Sequence, residues 1–174
     1  IDPTLFAGKS GNWYCWQNDT AGPVAIRIEE PSLRLRIWDA TTGEDASGKT
    51  IPVGNFGNFV IESNLYSIMN RTGVQPGDAP VRIRLTGPAN ETYTTLVGAD
   101  YREWPLTHLG VNEPLWYWVG LGDDHTKYQT GDGWNTSVLD PFTSERLYYP
   151  GVYTVRAECN ANKMKDNYRA PDGS

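Results

Sequence analysis

Two runs of the sequence set the fold: Val24-Ala25-Ile26-Arg27-Ile28 and, after Glu29-Glu30-Pro31-Ser32, Leu33-Arg34-Leu35-Arg36-Ile37-Trp38. In the first, Val24, Ile26 and Ile28 alternate with Ala25, Arg27 and Glu29. In the second, Leu33, Leu35 and Ile37 alternate with Arg34, Arg36 and Trp38. A period of two is that of a strand with one buried face. A helix would gather Arg34, Ile37 and Trp38 on one side, which no core would accept. Both runs are predicted as strands.

The same pattern recurs in both directions along the chain. Asn12 to Gln17 is a short aromatic strand, with Trp13 and Cys15 on one face and Tyr14 and Trp16 on the other. Thr50 to Val53 is predicted at a sheet edge, where Pro52 has no N–H to contribute to a ladder. Phe59 to Glu62 is a further strand, while Asn64 to Asn70 reads either as a helical turn or as a crossing between sheets. Val81, Ile83 and Leu85 alternate with Arg82 and Arg84. The Gly87-Pro88-Ala89-Asn90 turn then leads into Thr92 to Val97, which is a hairpin signal. Leu115 to Val119 is a Trp- and Tyr-rich strand. Tyr149-Pro150-Gly151 turns into Val152 to Asn160, where Tyr153, Val155, Ala157 and Cys159 share a face.

About eight or nine short strands with no long helix predict an all-β fold, an immunoglobulin-like two-sheet β-sandwich. A closed barrel is the alternative that periodicity leaves open. Composition agrees: Gly 18, Pro 12, Tyr 10 and Trp 7 make a turn-rich, aromatic-rich chain. One domain is expected over residues 1–163, with a polar tail or linker over 164–174. The chain begins at Ile1 rather than a methionine and is read as a processed product or excised fragment.

Charge excludes one class of partner. A net charge of −6 without any basic run is unsuited to a phosphate backbone, so nucleic acid is not expected. No stretch approaches the roughly 20 apolar residues of a spanning helix, so no membrane span is expected in this chain.

The two cysteines, Cys15 and Cys159, fall on the first and last predicted strands, each on a face with buried-type residues. A disulfide between them is expected, with an oxidising, extracellular location; two free buried thiols are the alternative. Four Asn-x-Ser/Thr triplets, at Asn18, Asn70, Asn90 and Asn135, all fall in predicted turns or loops where a glycan could be carried. As a set they point to a secreted glycoprotein.

Catalysis is not legible. His108 and His125 are the only histidines and lie in no metal-binding spacing, and no nucleophile or phosphate-binding motif occurs. Asp100, Glu103 and Glu113 are candidate carboxylates for glycoside chemistry, but acidic loop residues are usually solvated surface. The chain is read as a non-enzyme without a cofactor. Asp123, Asp124 and Asp132, in the Gly120–Gly133 loop, are the weak calcium candidates. Trp116, Trp118 and Trp134 head an aromatic cluster with Trp104, Tyr117, Tyr148 and Tyr149. Exposed, these indoles would form a stacking surface for sugars or proteins; buried, they are core.

Several phrases share a family likeness: Phe6-Ala7-Gly8-Lys9 with Gly11-Asn12-Trp13-Tyr14, Leu35-Arg36-Ile37-Trp38-Asp39, Gly48-Lys49-Thr50-Ile51-Pro52-Val53-Gly54, Ser63-Asn64-Leu65-Tyr66, and Gly151-Val152-Tyr153-Thr154-Val155-Arg156-Ala157-Glu158-Cys159-Asn160. In order and content they resemble a β-domain family of exported, S-layer-like cell-surface proteins of methanogenic archaea. The resemblance implies a cell-surface location and supplies no catalytic residues. The expectation is a structural subunit of an archaeal cell envelope or surface filament. Its partners would be copies of itself or other envelope proteins. An adhesion module binding carbohydrate or protein is the second expectation.

Overall fold

Val81, Ile83 and Leu85 are buried along one face of a strand while Arg82 and Arg84 stand on the other, as their alternation requires. This strand, Val81–Thr86, is β6 in a computed structural model that describes residues 8–17, 19–75, 78–121, 125–127 and 129–161. In chain order the other strands are β1 (Gly11–Gln17), β2 (Thr20–Ile28), β3 (Leu33–Asp39), β4 (Glu44–Asp45), β5 (Phe56–Ser63), β7 (Thr92–Tyr93), β8 (Thr95–Val97), β9 (Glu103–Pro105), β10 (Leu115–Trp118), β11 (Trp134–Asn135) and β12 (Thr154–Cys159). Leu65–Ile68 forms a single 3-10 turn, the helical option for that segment. The fold is all-β with several sheets, and no α-helix occurs among the described residues.

The chain divides into two compact units, residues 1–32 and 33–174. Chain length gave the expectation of one domain over 1–163; the predicted tail at 164–174 lies outside the described residues.

In the larger unit, β10, β5, β3 and β4 form one sheet, with β11 also on β5. β12, β6 and β7 form a second sheet, and β8 pairs with β9. One core cluster takes Phe59 and Ile61 from β5, Trp116 and Trp118 from β10, and Val81, Ile83 and Leu85 from β6. Leu35, Ile37 and Val155 pack against it. Two sheets sharing one apolar interior is the arrangement of a sandwich. Each fully buried aliphatic or aromatic side chain contributes about 1.5–3 kcal/mol. Leu96 and Leu106, both 0% exposed, bring the β8–β9 hairpin to the same core.

The smaller unit is a two-stranded ribbon, β1 against β2. Its register runs Trp13↔Ile26, Tyr14↔Val24 and Trp16↔Ala21, with irregularities between Trp13/Tyr14 and Tyr14/Trp16. At each irregularity β2 advances one residue more than β1, so both bulges belong to β2. Gly22 fits one of them closely: a Cβ there would stand 3.0 Å from the Cys15 carbonyl oxygen.

Two expectations are corrected here. Cys15 and Cys159 are free thiols, not a disulfide. The inference assumed that first and last strands are neighbours, but β1 pairs with β2 while β12 pairs with β6. Thr50 to Val53 is not an edge strand: it runs into a turn in which the Asn55 N–H donates to the Pro52 carbonyl, and Val53 makes only an isolated bridge with Asn55.

Candidate functional site

The three indoles offered as a binding surface are core. Trp116 and Trp118 are each 2% exposed and Trp134 8%. Alternation along β10 sends Trp116 and Trp118 to the same side as their partners Ile61 and Phe59. Trp118 donates its Nε1–H to the Pro105 carbonyl at 2.8 Å and lies 5.5 Å from the Phe59 ring. Trp116 stacks on the His125 imidazole at 4.3 Å. Trp134 meets Tyr148 edge-on at 5.0 Å and Tyr153 at 5.3 Å. With their faces filled by other rings, none can stack on a sugar.

The other predicted residues separate. Asn70 and Asn90 are exposed, Asn90 at the tip of the β6–β7 turn with φ +64°. Asn135 is 4% exposed, and its Oδ1 accepts from the Ser137 N–H and hydroxyl, so a glycan there is incompatible with this packing. Asn18 lies outside the described residues, as do Asp123 and Asp124. Asp132 is engaged in a turn, accepting from the Gln129 N–H at 2.9 Å. Among the described residues no three metal-binding side chains converge.

Of the carboxylates, Asp100 accepts from the Arg102 N–H and the Trp104 indole. Burial raises its pKa, but these donors outweigh it and the net shift is downward. Glu103 accepts from the Thr95 hydroxyl. Both hydrogen-bond within their own hairpin, Asp100 to Arg102 and Trp104 and Glu103 to Thr95.

Exposed aromatic side chains lie instead on the ribbon. Trp13 is 39% exposed, Tyr14 53%, Trp16 70%, Val24 49% and Ile26 46%. The alternation of Val24, Ile26 and Ile28 predicted a buried face, and the structure leaves it open. The two β2 bulges break strict alternation, so no single face of the ribbon collects the apolar residues. Two-stranded hairpins are marginal alone in water. Two signals were present in the sequence: Trp13-Tyr14-Cys15-Trp16 contains no polar residue for a solvated face, and Gly22-Pro23 interrupts β2.

One further comparison bears on this arrangement: the model of a domain of unknown function, DUF3821, matches residues 1–166. The chain belongs to the DUF3821 family. No curated protein and no solved structure matches it. The family match of this DUF3821 chain thus covers the ribbon and all but the last eight residues of the larger unit.

A second exposed apolar group of this DUF3821 chain sits on a turn built to present it. Phe142 is 94% exposed. The Asp140 carboxylate accepts from the backbone N–H groups of Phe142 and Thr143, both at 2.8 Å. The Ser144 N–H closes the turn onto the Asp140 carbonyl at 2.9 Å. The Thr143 and Phe142 amides hold the Asp140 carboxyl below its ordinary pKa. The loop therefore holds Phe142 out on a hydrogen-bonded base.

Proposed function

We propose that this chain is a structural, self-associating module of an archaeal cell envelope or surface filament, located outside the cell. The carrying observation is the β1–β2 ribbon, whose Trp13, Tyr14, Trp16, Val24 and Ile26 are all at least 39% exposed. Large apolar side chains left uncovered together on one short element favour an interaction role for it. Exposed sequons at Asn70 and Asn90 and the resemblance to exported surface proteins favour the extracellular setting. The larger unit is read as an immunoglobulin-like sandwich, which its shared two-sheet core supports, serving as a rigid carrier.

An extended assembly needs more than one contact, because a two-fold contact alone closes at the dimer. Phe142, held outward by Asp140, is the second contact in this reading. It could equally anchor a different envelope protein, which is the adhesion alternative. No enzymatic role is proposed.

Light scattering across concentration, followed by electron microscopy, tests the reading. Mass rising with concentration, and ordered sheets or filaments at the upper end, is expected. A chain that stays monomeric at every concentration would overturn it.

A further inference from the structure

We infer that Asn90 is an N-glycosylation site, carrying a sugar chain on its side-chain nitrogen at the tip of the β6–β7 hairpin. This rests on the extracellular setting proposed above and picks out, among the Asn-x-Ser/Thr triplets, the one whose geometry accepts the modification.

The triplets at Asn70, Asn90 and Asn135 stand in three different environments. Asn135 is 4% exposed and its Oδ1 accepts from the Ser137 N–H and hydroxyl, so both ends of that triplet are committed inside the fold. Asn70 is exposed, but its Nδ2 already donates to the Asn112 carbonyl at 3.2 Å, and a sugar on that nitrogen would crowd the contact. Asn90 is exposed, as are Pro88 and Ala89 before it and Thr92 after it. Among the described residues the Asn90 side chain has no hydrogen-bond partner.

The turn holds its shape without that side chain. Thr86 pairs with Thr92, the Gly87 N–H donates to the Glu91 carbonyl at 2.8 Å, and the Asn90 N–H donates to the Gly87 carbonyl at 3.1 Å. Asn90 takes the positive φ of the turn, +64°, a conformation that asparagine tolerates better than most residues. The middle residue of the triplet is tied back into the hairpin: the Glu91 carboxylate accepts from the Ala89 N–H at 2.7 Å and the Tyr93 hydroxyl at 2.9 Å. Pro88 is packed as well, since a Cβ at Gly151 would stand 2.4 Å from its Cγ. None of these contacts uses the Asn90 amide nitrogen or the Thr92 hydroxyl, so a bulky sugar chain displaces none of them.

The donor is a sugar chain held at C1 as a lipid phosphate ester. The Asn90 Nδ2 attacks that C1; the C1–N bond forms and the C1–O bond to phosphate breaks. The lipid phosphate leaves with the electron pair, and one Nδ2 proton passes to a base of the transferring enzyme. Nothing is oxidised or reduced. The Thr92 hydroxyl is the part of the triplet by which such an enzyme recognises the acceptor.

The test is peptide mass spectrometry on the full chain isolated from the cells that make it, after labelling the intact cells with a membrane-impermeant amine reagent. Trypsin, cutting after Lys and Arg, puts Asn18, Asn70, Asn90 and Asn135 on four separate peptides, 10–27, 50–71, 85–102 and 128–146. Peptide 85–102 is expected to gain the mass of a sugar chain in most molecules, and 128–146 to stay bare. Thr92→Ala should return 85–102 to its bare mass with little change in thermal midpoint, while Thr92→Ser keeps the sugar. A chain labelled on intact cells with 85–102 bare would overturn the Asn90 assignment alone. An unlabelled chain with 85–102 bare would overturn the extracellular setting with it. Sugar that persists in Thr92→Ala would also count against the assignment.

Discussion

Two tryptophans, Trp16 on β1 and Trp116 on β10, illustrate how burial divides the aromatic residues. Trp116, 2% exposed, packs inside the larger unit, whereas Trp16, 70% exposed, lies on the ribbon. Trp116→Ala is expected to cost about 3–5 kcal/mol, seen as a large fall in thermal midpoint. Trp16→Ser should leave that midpoint nearly unchanged while lowering the scattering mass at high concentration. Sequence could not sort these two, because period-two alternation states which residues share a face and not whether a neighbour covers it. The same blindness affected Asn135, whose triplet matches a glycosylation site while its amide is committed to Ser137 inside the fold. Titration of thiols without reductant should count two, since neither cysteine is bridged. Cys159 should react the more slowly, because burial raises the thiol pKa and shelters it.

Among the elements, the long alternating strands were legible and the short ones were not. β3 and β6 follow from their sequences because five or six residues of strict alternation leave no helical reading. β4, β7 and β11 are two residues each, below the length at which any period shows. The outer face of β6 and β12 makes a measurable point. Arg84 stands directly opposite Arg156, while the neighbouring rung pairs Arg82 with Glu158 at 2.8 Å. Like charges across a ladder are destabilising, so Arg156→Thr should raise stability by about 0.2–1 kcal/mol in urea titrations. The Phe142 turn has its own pH dependence. A carboxyl whose folded pKa is depressed stabilises its loop above the unfolded pKa and loses that effect as pH falls through the folded one. For Asp140 the ordinary value is 3.8, so the turn should hold at neutral pH and loosen only below it. Exchange of the Phe142 and Thr143 amides, followed by NMR down that range, would show the change.

At the scale of the whole molecule, a net charge of −6 opposes the approach of two copies. An apolar contact under mutual repulsion should strengthen as salt screens it. Scattering mass is therefore expected to rise between about 0.01 and 0.15 M ionic strength. A contact built on ion pairs would weaken over the same interval. The core cluster that holds the larger unit together contains no residue from 8–32. Under the proposed self-association, selection on folding would act mainly on one part of the gene and selection on association on another. Substitutions in the ribbon would then change assembly without eroding the core of the larger unit. Related chains would be expected to diverge fastest in the ribbon while keeping a common scaffold.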